Sequence, residues 1–370
     1  MKLPLIKDID VREKRVLLRL DLDVPLLNGE IDDDTRLAAA LPTLEYLLKH
    51  NAKIIICGHL GRPSVAKALE GKAKEFSLEP VAKWLSIKYK IVSIKYGKRG
   101  EFGGWEIGEK LFLLENLRFY TGEEKNDPEF SRKLANLADI YVNDAFAMCH
   151  RKHASIVGVT HFLPHFAGFH LQKEVETLSQ VMDNPKRPLV VIIGGKKIET
   201  KLPLVEKMHR IADYVLVGGK IAEEQKVLLK VAHEKIPGRK SVLLVADSNH
   251  DSSDITEKDA ENFSQIIALS ETIIWNGSMG IIDQKSKIPP ESRLAKGGKN
   301  QKLDSEAGTK KIAESILKTK AYTVVGGGDT TEYLNKLGIL NKFSFASTGG
   351  GAMLAFLSEK NLPGIQALTK

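Results

Sequence analysis

Cysteine is nearly absent: Cys57 and Cys149 are the only two among 370 residues. They form no CxxC pair, which excludes a cysteine-built metal site, argues against redox chemistry and fits a reducing compartment. Long apolar runs are missing too. No stretch approaches the roughly 18 residues a membrane span needs, and the opening Met1-Lys2-Leu3-Pro4-Leu5-Ile6-Lys7 lacks the continuous apolar core of a signal peptide. A cytoplasmic protein with no membrane partner is expected. There is no GxxxxGK[ST] phosphate loop, and no GxGxxG followed by an acid about 20 residues later. A dehydrogenase is therefore the weaker reading.

What is present is an ordinary globular composition, 42% hydrophobic and 28% charged. The chain exceeds the roughly 250–300 residues at which single cores stop growing, so two domains are expected. The net charge is +8 at pH 7. Its lysines interleave with acids, as in 173–176 and 257–261, instead of forming a stripe. That layout favours a small polyanionic substrate over nucleic acid.

Short β-branched apolar runs recur along the chain, each followed by glycine-rich or polar residues and a helix-like stretch, the βα pattern of parallel sheets. In the first half they are 16–20, 53–57, 91–95, 111–114 and 140–142. In the second half they are 189–193, 214–217, 242–245, 272–275, 322–325 and 343–346. Leu171, Val175, Leu178 and Met182 fall at helical spacing between the two sets and predict a connecting helix. The aperiodic Lys-, Gly- and Pro-rich segment 285–309 reads as a mobile surface loop.

Ligands of open α/β sheets sit at the carboxyl ends of strands. In the first half those ends carry anion-holding side chains: Arg19 and Asp21, then His59 and Arg62, then Arg118, then Arg151. Arg36 opens a helix behind Asp34-Thr35, where a cap and the helix dipole would help hold negative charge. Guanidinium binds phosphate or carboxylate through a planar fork and stays charged at working pH. In the second half the strand ends carry glycine: Gly194-Gly195, Gly218-Gly219, Asn276-Gly277, Gly326-Gly327-Gly328 and Gly349-Gly350-Gly351. Bare backbone lets amides approach phosphate oxygens, so this half suits a nucleotide. Asp329, beside such a run, is the candidate Mg²⁺ contact, since Mg²⁺ needs only one or two carboxylates plus substrate phosphates.

The stretches RLDLDVPLLNGEIDDDTRLAAALPTLEYLL, GHLGRP, LLENLRFYTGEEKNDPEF, YVNDAFAMCHRKHAS, IIWNGSMG, VVGGGDTTEYLNKLG and STGGGAMLAFL run in order along the chain. Together they closely resemble phosphoglycerate kinase. The resemblance implies an α/β fold of two doubly wound parallel-sheet (Rossmann-like) lobes joined by a helix and a hinge. Residues 1–167 would form the phosphoglycerate lobe, 168–183 the connecting helix and 184–357 the nucleotide lobe, with 358–370 returning to the first. It further implies that Asp21, Asp23, Arg36, His59, Arg62, Arg118 and Arg151 bind 3-phosphoglycerate or 1,3-bisphosphoglycerate. ATP or ADP, with Mg²⁺ at Asp329, would be held by Gly194, Gly195, Lys197, Lys201, Gly218, Gly219, Asn276, Asp283, Gly326, Gly327, Gly328, Asp329 and Thr330. Arg36, Lys201, Gly327 and Gly350 would serve the transferred phosphoryl group, and the enzyme would act as a monomer closing at its hinge.

The chain departs from the family's usual pattern at several of these places. Asp23 replaces an Asn, Thr200 an Asp, Lys220 a Gly and Ser278 a Pro, while Asp283 stands for a Glu. The Gly-Pro segment that helps form the adenine pocket is not visible around Asp254–Asp259. Two further readings stay open at this stage: a phosphotransferase acting on a related carboxylate, and a non-catalytic homologue that binds one.

Overall fold

The computed structural model describes residues 2–63, 74–195, 198–222, 241–282, 305–359 and 361–369. The chain divides into two compact units, Met1–Glu176 with Asn361–Lys370, and Thr177–Lys360. The division falls inside the helix Phe169–Asp183. Leu171, Val175, Leu178 and Met182 are all buried there, as the helical spacing requires.

The first unit contains β1 (Arg15–Arg19), β2 (Leu26–Leu27), β3 (Glu30–Ile31), α1 (Thr35–Lys49), β4 (Lys53–Cys57), α2 (Glu79–Tyr89), β5 (Ile94–Arg99), β6 (Phe102–Ile107) and β7 (Leu111–Leu114). After these come α3 (Thr121–Glu124), α4 (Pro128–Ala135), β8 (Ile140–Asn143), β9 (His165–Ala167) and the first half of α5 (Phe169–Asp183). Its main sheet runs β5-β6-β7-β4-β1-β8-β9. The five strands from β7 to β9 are parallel. Their order reverses between β1 and β8, as in a doubly wound sheet. Val16, Leu17, Leu18, Ile54, Ile56, Leu113 and Val142 are buried, the near-continuous apolar character of a sheet covered on both faces. The terminal helix, α11 (Pro363–Leu368), belongs to this unit. Its Gly364 amide donates to Cys149 O at 2.8 Å.

Three strands of the main sheet differ from expectation. The run expected at 91–95 is β5, displaced to Ile94–Arg99 and antiparallel to β6. Strand β6 escapes a propensity reading because Gly103 and Gly104 dilute its apolar pattern, although Gly104 must be glycine: a Cβ there would meet the main chain of Leu113 and Leu114. The three-residue β9, directly after Pro164, is likewise too short to announce itself.

The second unit contains β10 (Leu189–Ile193), α6 (Ile198–Ile211), β11 (Tyr214–Val217), β12 (Val242–Val245), α7 (Glu257–Ile267) and β13 (Thr272–Asn276). Then follow α8 (Ala307–Leu317), β14 (Tyr322–Gly326), α9 (Gly328–Lys336), β15 (Phe345–Ala346) and α10 (Gly350–Glu359). The strand order is β12-β11-β10-β13-β14-β15, parallel throughout. Numbered within the unit this is 3-2-1-4-5-6, the order of dinucleotide-type sheets, with its switch point between β10 and β13. The segment expected as a loop to residue 309 already turns helical at Ala307. Residues 283–304, with the remainder of that expectation, lie outside the described residues.

Register decides what happens at the upper edge. Ile193 lies level with Val217 and with Asn276, and Asn276 with Gly326. The four chains therefore leave the sheet at one level, and the next residue on each is glycine: Gly194, Gly218, Gly277 and Gly327.

Candidate functional site

At the upper edge of the first sheet, Arg19 is level with Cys57 and with Asn143, so Asp21, His59 and Asp144 emerge just beyond the strands. Arg36 approaches from the first turn of α1. Its Nε lies 3.5 Å from Asp21 Oδ2, and its Nη1 lies 3.9 Å from Asp23 Oδ2 and donates to Asp23 O. The helix start is held by Asp33, whose Oδ1 accepts from the Thr35 amide at 2.8 Å. Asp34, the expected cap, instead accepts from Trp84 Nε1 at 3.0 Å. Burial pushes the Asp21 carboxyl up and the Arg36 guanidinium opposes it; the Asp21 charge in turn raises Arg36.

The turn after β4 is folded around Asp23. Asp23 Oδ1 accepts from the Gly61 amide at 2.8 Å, and Asp23 Oδ2 lies 3.8 Å from His59 Nε2. Gly61 has φ +62°, which favours glycine, and Arg118 Nη1 donates to its carbonyl. Arg118 Nε lies 3.1 Å from Glu124 Oε1. Burial, then the charges of Arg19, Arg118, His153 and Arg36, hold the His59 imidazole well below its usual range, so it is neutral. Arg151 is half-buried, and its charge acts on Arg118. Its Nε is buried without a hydrogen-bond partner, an orphaned donor of the sort a bound anion satisfies. Arg36, Arg118 and Arg151 thus gather with Asp21, Asp23 and His59. Arg62 is exposed on the chain after Gly61.

At the edge of the second sheet Lys201 reaches back from α6. Its Nζ is buried, donates to Gly194 O and packs against Gly195 and Gly277 at the switch point. Trp275, fully buried in the core, donates from Nε1 to Gly277 O at 2.9 Å and so ties that turn to the packing below. Gly327 has φ +103°, and Asn276 Oδ1 and Gly277 N lie 3.4 Å from where its Cβ would stand. A Cβ on Gly350 would fall 2.8 Å from Gly327 Cα. The amino ends of α9 and α10 are thereby packed together beside Asn276.

Open backbone facing a phosphate is the expectation for every one of these glycines, and most of them have another cause. A Cβ on Gly194, Gly218, Gly219 or Gly326 would meet protein atoms, respectively Ser278 O, Met279 Sδ, Gly195 N and Met353 Sδ. These are glycine because the turns pack closely on one another. Gly328 is exposed, with no atom within 4 Å of where its Cβ would stand, and Gly327 and Gly195 are half-buried. Thr330 also departs from expectation: its side chain is fully buried, leaving only its main chain for a ligand. Asp329 is exposed in the first turn of α9. Lys197 and Asp283 lie outside the described residues, and the Thr200 side chain outside the described side chains.

A cavity of about 330 Å³ adjoins this edge, lined by Gly195, Gly219, Lys220, Ala246, Ile255 and Met279 among others. Asp254, also in its lining, accepts from the Gly308 amide through Oδ2 at 2.6 Å and ties the 248–255 loop to α8 (Ala307–Leu317). Sequence reasoning named the stretch that holds Ile255 but gave no signal for Ala246, which is chemically plain.

The phosphoglycerate kinase family profile matches residues 6–241 and 297–360. The chain belongs to the phosphoglycerate kinase family. It is 37% identical to the phosphoglycerate kinase of Moorella thermoacetica, over 99% of this chain and 98% of that one. Among solved structures it is similar to the phosphoglycerate kinase of Coxiella burnetii, with TM-score 0.77, 32% identity and coverage of 100% and 99%. The enzyme from Pyrococcus horikoshii OT3 gives TM-score 0.76, 28% identity and coverage of 99% and 98%. A phosphoglycerate kinase is a phosphotransferase, and so is this chain.

Among the described residues no three His, Cys, Asp or Glu side chains gather as a metal cage. One exposed carboxylate beside helix-end amides fits instead an ion that arrives already bound to phosphates. Among the same residues no helix is long and apolar enough to cross a membrane.

Proposed function

We propose that this phosphoglycerate kinase moves the phosphoryl group between 1,3-bisphosphoglycerate and ADP, giving 3-phosphoglycerate and ATP, through two anion-holding edges of different construction. At the first edge Arg36, Arg118, Arg151 and Arg62 neutralise the three-carbon acid, with neutral His59 as an uncharged donor. At the second, Lys201, the main chain at Gly195, Gly327 and Gly328, and the amino ends of α9 and α10 hold the nucleotide phosphates. The base occupies the cavity walled by Ile255 and Met279. Asp329 would be the protein carboxylate for Mg²⁺ carried by the nucleotide, and the ion would there neutralise phosphate charge.

In the ATP-consuming direction a carboxylate oxygen of 3-phosphoglycerate attacks the γ-phosphorus. The new bond is P–O to that carboxylate, and the bond broken is P–O to the departing ADP. The acceptor carries no proton at neutral pH, so the site needs no general base. What remains is positioning and neutralising charge on a metaphosphate-like group. The observation that carries the reading is the charge layout at the first edge: Asp21, the buried carboxylate nearest Arg36, is held in an ion pair instead of standing free as a base.

The test is a coupled assay with 3-phosphoglycerate and MgATP, read through reduction of the acyl phosphate. Turnover is expected. Its absence from folded protein that still binds MgADP by calorimetry would contradict the proposal.

A further inference from the structure

Each of the three guanidinium nitrogens of Arg19 has a partner within the protein. Arg19 is fully buried. Its Nε donates to Ser155 Oγ at 2.9 Å, its Nη1 to Leu20 O, and its Nη2 lies 3.1 Å from His59 Nδ1. Behind it, Ser155 Oγ passes a hydrogen bond to Glu123 Oε1 at 2.6 Å, and the Ser155 amide donates to Glu123 Oε2 at 3.0 Å. Glu123 and Ser155 are as buried as Arg19. The Glu123 carboxyl feels burial first, which raises it, but His153, Arg19 and Ser155 outweigh that and keep it ionised. A cation and an anion, bridged by one hydroxyl, thus stand beneath the edge.

A guanidinium has donors and no acceptor. The 3.1 Å contact therefore requires His59 Nδ1 to carry its lone pair, which places the ring proton on Nε2. That nitrogen is the one 3.8 Å from Asp23 Oδ2, on the side of Arg36. We propose that Arg19, braced by Ser155 and Glu123, is a positioning residue that fixes His59 as the neutral Nε2–H tautomer, so that the ring always offers a donor to the bound acid. The other tautomer would present a lone pair to an anion and repel it. This rests on the reading of the first edge as the acid-binding site.

The experiment is long-range proton–nitrogen NMR of the histidine side chains in the ligand-free ¹⁵N-labelled protein, with His59 assigned by comparison with His59→Gln. The expected spectrum has Nδ1 unprotonated and Nε2 protonated. A proton on Nδ1, or an imidazolium at neutral pH, would overturn the proposal. Arg19→Met alone would strand the buried Glu123 charge, so the kinetic variant is Arg19→Met with Glu123→Gln, which removes both charges. Its expected result is a mixture of His59 tautomers. The KM for 3-phosphoglycerate should rise in inverse proportion to the Nε2–H fraction that remains, about twofold for an even mixture, with the KM for ATP unchanged. His59→Gln should raise KM less in that background than in the unmodified protein, because the two act through one contact. Fully additive effects would count against the proposal. The tautomer is read without substrate and turnover of the unmodified protein is measured separately, so either reading can fail alone.

Discussion

Asp23 and Gly61 are joined by a 2.8 Å hydrogen bond from amide to carboxylate across 38 residues of chain. The residue that departs from the family's usual Asn thus braces the turn that carries His59 and Arg62. An asparagine oxygen could accept the same bond, so what the aspartate adds is charge beside an anion site. Asp23→Asn should leave the melting temperature within a few degrees and lower the KM for 3-phosphoglycerate about threefold, the scale of one half-exposed charge. Asp23→Ala, which loses the acceptor, should raise it. Steady-state kinetics of the two variants decide the matter, and a raised KM for Asp23→Asn would show that the charge assists binding.

Arg36 is charged throughout the working range and tied to Asp21, and Lys201 occupies the corresponding place at the second sheet's switch point. Arg36→Ala and Lys201→Ala should each fold and lower kcat by at least about a hundredfold, the order expected for one contact to a transition-state charge. Circular dichroism checks the fold. Near-normal turnover in either variant would remove that residue from the machinery.

The glycines of the second unit separate into two kinds that alanine can distinguish. Gly194→Ala places a methyl against Ser278 O and should cost roughly 1–3 kcal/mol of stability, as overpacking does. Gly328→Ala points a methyl into open space at the first position of α9, where alanine is the better helix former. Its unfolding midpoint should hold or rise while the KM for ATP increases roughly tenfold, the worth of a charge-assisted bond to phosphate. An unchanged KM would place the phosphates elsewhere.

Asp144 links β8 to α5: its Oδ1 accepts from the Leu171 amide at 2.9 Å, and burial pushes its carboxyl from 3.8 up to about 7. Between those values the unfolded chain is ionised while the folded chain stays protonated. Stability from this group should therefore fall as pH rises from about 4 to about 7 and level off above, by an amount on the order of 4 kcal/mol. Asp144→Asn, which keeps an acceptor, should flatten that slope and be the more stable protein at pH 8. Thermal unfolding of both proteins at pH 5 and pH 8 gives the comparison, and parallel profiles would refute it.

Much of this architecture is legible in the amino-acid sequence, for identifiable reasons. Parallel strands buried on both faces, such as β1, β4, β10 and β13, are short apolar runs that no polar alternation obscures. The arginines could be found because charge at a strand end stands out, and the glycines because residue type is visible. The cause behind each glycine is not visible, since whether Gly194 or Gly328 meets protein or solvent depends on segments far away in the chain. The same holds for Arg19 and Ser155, which lie 136 residues apart, and for Glu123, which reads as one more acid in a charged turn.

Trapping the product tests the central claim most directly. Unmodified protein is incubated with MgATP, 3-phosphoglycerate and hydroxylamine, which converts an acyl phosphate to a hydroxamate as it forms. Hydroxamate is expected in step with ADP, and only when the acid is present. ADP release without hydroxamate, or neither product from folded protein, would contradict phosphoryl transfer to the carboxylate.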